Sequence, residues 1–134
     1  MASHPWVPRM KRAVLVAIGA VWLATAAPTS AHHSFAVYDL ETEVELVGVV
    51  ETLRFRNPHL AMTLITSTGN GTEKRVYTLE GAPANMLVRL GLKPSFIEPG
   101  TAIKVIAAPP RGDGDVYLVK AIILEDGTKF QILN

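Results

Sequence analysis

Two adjacent histidines, His32 and His33, are the residues whose types and spacing in this chain could do chemistry together. They follow Thr29-Ser30-Ala31, and small residues at these places suit cleavage by a signal peptidase. After a cut behind Ala31, the free amine of His32 lies beside its own imidazole ring. An amine with a pKa near 8 gives up its proton to a metal ion, so amine and ring can chelate one ion together. The sequence therefore predicts a Cu(II) or Zn(II) site that begins at His32, with His33 as a further candidate ligand.

Two more side chains are candidates for this site. His59 follows Asn57-Pro58 between two predicted strands and would add an imidazole nitrogen. A tetragonal set of nitrogens favours Cu(II), and a tetrahedral set favours Zn(II). Glu80 is a candidate oxygen ligand, or the hydrogen-bond partner of a ligating histidine. Both residues also have a structural interpretation, because Asn-Pro is typical of turns and a carboxylate at Glu80 could accept the first free amides of a helix.

The N-terminal segment predicts export. Arg9, Lys11 and Arg12 precede an uncharged apolar run, residues 13–27, which has the length of a signal-peptide core and is short for a membrane span. We expect residues 1–31 to be a signal peptide that is cleaved after Ala31, which places the mature protein in the periplasm. Contact with the membrane is then limited to the precursor. An uncleaved N-terminal membrane anchor is the alternative.

Charge and composition narrow the classes of function. Three of the 13 Lys and Arg residues, and none of the 12 Asp and Glu residues, lie in the signal segment, so cleavage changes the net charge from +1 to −2. A weakly acidic surface argues against nucleic-acid binding. The chain contains no cysteine, so the exported domain relies on packing alone. No set of residues marks a nucleophile with its base or a phosphate-binding loop, and we expect the protein not to be an enzyme.

The mature segment has the pattern of a small β-barrel. Apolar residues alternate from Val44 to Phe55, but the alternation slips by one residue near Glu51-Thr52, which predicts a β-bulge in a long first strand. Strands are also predicted near residues 60–65, 74–80, 103–107, 116–124 and 129–133. Pro83, Met86, Leu87 and Leu90 have helical spacing, and they predict one short helix with Gly91 at its C-terminal end.

The order β-β-β-α-β-β, with the helix between strands three and four, predicts an all-β fold with one short helix. It matches an OB-like five-stranded β-barrel with a short additional C-terminal strand. An open antiparallel α+β sheet is the alternative. The expected organisation is a signal peptide at residues 1–31, an extended lead-in at 32–43 and the barrel domain at 44–134.

Short motifs along the mature chain resemble a family of small exported bacterial proteins of unknown function, DUF6152. The motifs are His-His-Ser-Phe at 32–35, Asn-Pro-His at 57–59, Glu-Gly-Ala-Pro-Ala-Asn-Met-Leu at 80–87, Gly100 and Asp126-Gly127. The chain has Phe55, Leu60 and Tyr77 where members often carry tryptophan. The resemblance implies export and a β-rich domain, and it implies no activity.

We interpret the sequence as that of an exported binding or accessory module, with Cu(II) or Zn(II) as its expected ligand. The alternative is a metal-independent adaptor for an unknown protein or small molecule. It would use the predicted loops around Asn57–Leu60 and Pro109–Asp115.

Overall fold

The computed structural model describes residues 35–67, 71 and 73–134. Its strands and helix follow one another in the predicted order. They are β1 (Val44–Arg54), β2 (Leu60–Ser67), β3 (Lys74–Gly81), α1 (Ala84–Arg89), β4 (Ala102–Ala108), β5 (Val116–Leu124) and β6 (Lys129–Gln131). Single 3-10 turns lie at Phe35–Val37 and Pro94–Phe96. The predicted signal peptide lies outside the described residues.

Five of the strands close into a barrel. β1 pairs antiparallel with both β2 and β4, β2 pairs with β3, and β4 pairs with β5. The barrel closes where Thr78–Glu80 of β3 pairs in parallel with Val116–Leu118 of β5. β6 adds to the edge of β5, where Ile122 pairs with Phe130. The predicted OB-like barrel is confirmed, and the β3–β5 pairing is the contact that an open sheet would lack.

β1 pairs with two neighbouring strands because it bends. Val50 pairs with Leu64 and Thr52 pairs with Thr63, so Glu51 is the additional residue of a bulge. The predicted slip of the alternation is therefore confirmed. Gly48 lies before the bulge, where a Cβ atom would be 2.2 Å from the backbone carbonyl oxygen of Ile65. A residue without a side chain is thus required for β2 to pass this close to β1.

The barrel interior is filled by apolar side chains that alternate along each strand. Leu60, Met62 and Leu64 of β2 are at most 2% exposed, whereas the residues between them are half-buried. The largest fully buried side chains are Val50, Leu60, Met62, Leu64, Leu79, Leu87, Leu92, Ile97, Val105, Val119 and Ile122. Because the ends of the barrel expose this interior, α1 and the segment that follows it are needed to cover one end.

The helix covers that end with a single side chain. Leu87 is fully buried, but Met86 and Leu90, which share its helical spacing, are 40% and 42% exposed. The reason is length, since a helix of six residues presents one turn to the core. Gly91, at φ +90°, ends the helix as predicted, and the amides of Gly91 and Leu92 donate to the carbonyls of Val88 and Leu87.

The lead-in is only partly extended. Phe35–Val37 forms a 3-10 turn, and Tyr38 forms a β-bridge with Pro110. The sequence missed this because residues 36–43 mix polar and apolar residues without a period. Their conformation is determined by distant contacts with the barrel.

Candidate functional site

The four predicted site residues divide into two groups. His32 and His33 lie outside the described residues. His59 is half-buried and immediately precedes β2, and Glu80 is half-buried near the end of β3. The structure therefore tests the placement of His59 and Glu80 relative to each other.

The β2–β3 ladder brings these two residues to the same end of the barrel. Ala61 pairs with Glu80, and the amide of Leu60 donates to the carbonyl of Ala82 at 3.0 Å. His59 precedes that pair of strand ends directly. His59 and Glu80 therefore lie at the same end of the β2–β3 ladder.

Glu80 lies on the outer surface of β3, because its neighbours Leu79 and Gly81 are the buried ones. The hydroxyl of Tyr38 donates a hydrogen bond to Oε1 of Glu80. The expected contact between Glu80 and the first helical amides is wrong, because the carboxylate is engaged by the lead-in instead. No pattern in the sequence pairs these two residues, which are 42 positions apart.

Tyr38 is held as a neutral donor. Its side chain is 6% exposed and packs against Ala108 and Leu118, apart from the main core. Burial raises the pKa of Tyr38 strongly, and the hydrogen bond to Glu80 and the charge of Glu80 raise it further. The phenol therefore keeps its proton, and with it the hydrogen bond, across the neutral range.

The Asn-Pro-His segment takes the role at the helix that Glu80 does not have. Oδ1 of Asn57 accepts a hydrogen bond from the backbone amide of Asn85, in the first turn of α1, at 3.2 Å. Pro83, which precedes the helix, has no side-chain acceptor of its own, so Asn57 supplies the missing cap from another loop. The Asn57–Pro58 peptide bond is cis. The sequence indicated that Asn57 belongs to a turn. The structure adds that its side chain also connects two motifs that are distant in sequence.

Several polar contacts attach the lead-in to the barrel. Nε of Arg111 donates to the carbonyl oxygen of Tyr38 at 2.9 Å, and the amide of Arg111 donates to the carbonyl of Val37 at 2.8 Å. The amide of Asp39 donates to the carbonyl of Pro109 at 2.9 Å. These contacts fix the chain three residues after His32-His33-Ser34.

Lys120 forms a second attachment of the lead-in. Its Nζ atom donates to the carbonyl of Leu40 at 3.2 Å and to Oε1 of Glu43 at 2.6 Å, and the residue is 5% exposed. The hydrogen bond and the positive charge of Lys120 hold the pKa of Glu43 below its ordinary value. A lysine within the apolar strand Val116–Leu124 was the signal that could have predicted a buried partner.

The loop between β4 and β5 completes this side of the molecule. An open cavity of about 160 Å³ lies between that loop and the lead-in, and its lining includes Val37, Tyr38, Arg111 and Asp115. Within the described ranges, no group of three or more His, Asp or Glu side chains is arranged to hold a metal ion. In the same part of the chain, no helix is long and apolar enough to cross a membrane. A metal site would therefore need ligands beyond His59 and Glu80.

Comparison with solved structures finds single-stranded DNA-binding proteins of similar fold. Two crystal forms of the mitochondrial single-stranded DNA-binding protein Rim1 of S. cerevisiae match with TM-scores of 0.49 and 0.47. Each is 13% identical to this chain and covers 63% of it, and the matched share of Rim1 is 93% and 95%, respectively. At this identity the likeness concerns the fold alone.

Comparison with sequences gives the family. No curated protein matches the chain significantly. A family model described as a family of unknown function, DUF6152, matches residues 20–117. That range includes His32, His33, Asn57, His59 and Glu80, which are the residues whose placement is considered above. The chain belongs to the DUF6152 family.

Proposed function

We propose that this protein is an exported, periplasmic binding or accessory module that takes up Cu(II) or Zn(II) through a mature N-terminal His32. His33 and His59 would supply further nitrogens. The proposal requires cleavage of the signal peptide after Ala31, because the amine of His32 exists only in the cleaved chain.

One observation carries the proposal. The lead-in that follows the histidine pair is attached to the barrel, and the hydroxyl of Tyr38 reaches Glu80. Glu80 lies at the end of the β2–β3 ladder, which is also where the chain enters β2 from His59. The attachment therefore holds the described start of the lead-in, Phe35–Tyr38, against the barrel.

Chain length is consistent with this arrangement. Residues 35–37 form a 3-10 turn, so only the three steps from Phe35 back to His32 can extend, at most about 3.3–3.6 Å each and roughly 10 Å in total. Amine and imidazole nitrogens with a carboxylate oxygen are ligands that suit both Cu(II) and Zn(II).

Calorimetric titration with Cu(II) and Zn(II) tests the proposal. The sample is protein processed to begin at His32, and the control carries one additional residue before His32. The control keeps both imidazoles but turns the amine of His32 into an amide, so we expect uptake of one ion by the processed protein and a large loss in the control. Negligible uptake by both proteins would overturn the proposal.

A metal-independent adaptor is the second candidate. It is favoured by the exposed apolar side chains of Met86 and Val88 in the short helix and of Leu90 directly after it, and by the cavity between the lead-in and the β4–β5 loop. Single exposed residues are ordinary, but three within five positions mark a surface that a partner can cover. Crosslinking in the periplasm, with and without a chelator, distinguishes the two candidates. A metal-independent adaptor would recover the same partner in both conditions, whereas a metal-dependent module would lose its partner when the chelator is present.

We also propose that the protein acts neither on nucleic acid nor as an enzyme. Single-strand binding uses aromatic platforms in a basic groove. On the outer surface of β1–β3, the described residues form a row of threonines, Thr52, Thr63 and Thr78, in which Thr52 and Thr63 share a hydrogen bond of 2.8 Å. The next row is Val49, Ile65 and Val76, so neither row offers a stacking ring. We expect labelled single-stranded DNA to show no saturable change in fluorescence anisotropy, even at low salt.

A further inference from the structure

The outer surface of the barrel carries an apolar face that spans four strands. The ladders place Val76, Ile65, Val49 and Ala102 side by side across β3, β2, β1 and β4. Val76 and Val49 are exposed, and so is Val47, which lies two residues before Val49 on the same side of β1. Scattered exposed apolar residues are ordinary, but a contiguous set on one sheet surface marks an interaction site.

This face has a ridge on one side of β1 and a groove on the other. The ridge consists of Ile65 and Val76, on β2 and β3. The groove is open, has a volume of about 270 Å³ and lies over β4 and β5, where its lining includes Ala102 and Ile123. Since Ile65 and Ala102 both pair with Val49, the ridge and the groove lie level with each other along β1.

Charged residues at the two borders of the face have opposite signs. Lys74 is exposed on the outer side of β3, beside the ridge, and Glu125 is exposed in the lining of the groove. Between them, Nζ of Lys104 lies 2.8 Å from Oε1 of Glu45, so the cation within the face is already paired. A matching surface therefore needs a groove opposite the ridge, a ridge opposite the groove, an acidic group opposite Lys74 and a basic group opposite Glu125. The face itself meets this description when it is turned over.

We propose that this face is the interface of a symmetric dimer with a second copy of the chain. A two-fold axis that lies in the interface and runs along β1 exchanges the two sides of the face, as a self-complementary contact requires. Ile65 then meets Ala102 of the partner subunit, and Lys74 meets Glu125 of the partner subunit, so each contact forms twice. Such an axis keeps the strands of the two copies aligned, the usual arrangement of sheets that pack face to face at about 10 Å. The inference goes beyond the proposed function, because the dimer requires no metal.

Sedimentation velocity over a concentration series tests this inference. The sample is protein that begins at His32, with a chelator present so that metal cannot join two copies. Val47→Asp places a carboxylate in the middle of the face, at a residue that is 59% exposed. Val88→Asp is the matched control, since it changes a valine of α1 that is 56% exposed and lies outside the face.

A charge exchange tests the orientation of the two copies. Lys74→Glu and Glu125→Lys each bring like charges together at the border contact, and the double variant restores opposite charges in both contacts. Circular dichroism of each variant shows that it is folded. Recovery of the dimer in the double variant cannot come from a change in stability, so it identifies the contact between these two residues.

We expect reversible dimerisation of the wild type and of Val88→Asp, and a loss of roughly tenfold or more in dimer affinity for Val47→Asp, because a buried charge then faces its own copy. Each single charge variant should lose several-fold in affinity, and the double variant should regain it. A wild type that stays monomeric throughout the series would overturn the inference and leave the face to a different partner. A dimer that tolerates Val47→Asp as well as it tolerates Val88→Asp would have its interface elsewhere, which would also overturn it.

Discussion

At the scale of single residues, Tyr38 makes more contacts in the fold than the irregular sequence around it indicates. Tyr38 contributes a buried ring, a hydroxyl on Glu80 and a backbone carbonyl to Arg111. Its hydrogen bond connects a neutral donor with a carboxylate. Such bonds contribute more than neutral pairs, although the half-exposed carboxylate can recover part of the loss from water.

The Tyr38 phenol makes stability depend on alkaline pH. Its pKa in the folded protein is raised above the ordinary value near 10, so the folded state retains a proton that the unfolded chain loses first. The stabilisation is complete below pH 10 and decreases as pH rises above it, by up to about 1.4 kcal/mol per pH unit. We expect Tyr38→Phe to be about 1 kcal/mol less stable than wild type at pH 7, and this difference to shrink between pH 10 and 11.

Urea unfolding of both proteins from pH 7 to pH 11 measures this difference. Every other ionisable group is common to both proteins, so the difference between them reports the hydroxyl of Tyr38. A difference that stays constant up to pH 11 would contradict the assigned role of the hydroxyl.

At the scale of elements, the first strand determines how the barrel closes. Gly48 and the bulge at Glu51 let one strand pair with β4 before the bend and with β2 along and beyond it. Both features are visible in the sequence, as a glycine inside an apolar strand and as a slip in the alternation. They are predictable because strand periodicity is local and follows from the side on which each residue lies.

Gly48→Ala tests the close approach of the two strands. The new Cβ atom would meet the carbonyl oxygen of Ile65, a backbone atom that cannot rotate away. We expect a loss of about 2–4 kcal/mol in the free energy of unfolding, measured by urea denaturation, as for other substitutions that force backbone apart. Val47→Ala, at a neighbouring position that is 59% exposed, is the control and should cost less than about 1 kcal/mol. Equal stability of the two variants would contradict the steric role of Gly48.

The contacts between elements were less predictable than the elements. The periodic segments predicted the strands and the helix. The helical spacing of Met86, Leu87 and Leu90 did not show which of them are buried, because periodicity does not report how many turns reach the core. Asn57 and Asn85 belong to two motifs that the sequence reveals separately, and only the fold brings them together. Tyr38 and Glu80 are a similar case, since a hydrogen bond over 42 residues leaves no pattern in either segment.

At the scale of the whole molecule, the lead-in belongs to the folded domain, which begins before the first strand. Tyr38 and Leu40 pack against Ala108 and Leu118 on the outside of the barrel. Lys120 adds a hydrogen bond from its Nζ atom to the carbonyl oxygen of Leu40. The main core contains none of the lead-in residues. From Phe35 onward, the described chain therefore consists of a barrel with its own core and an attached segment that covers a second, smaller apolar cluster.

Truncation measures the contribution of the attached segment separately from that of the barrel core. A chain that begins at Glu43 keeps the ionic partner of Lys120 but loses Tyr38, and it exposes Ala108 and Leu118. We expect a folded barrel that is about 3 kcal/mol less stable in urea, since burying one large side chain contributes about 1.5–3 kcal/mol and the lost hydrogen bonds add to this. A chain that begins at Phe35 is the control: it removes only the histidine pair and Ser34, so it should retain full stability while losing metal uptake. If the chain that begins at Glu43 were as stable as this control, the lead-in would be a passive extension, and the hydrogen bond between Tyr38 and Glu80 would not stabilise the fold.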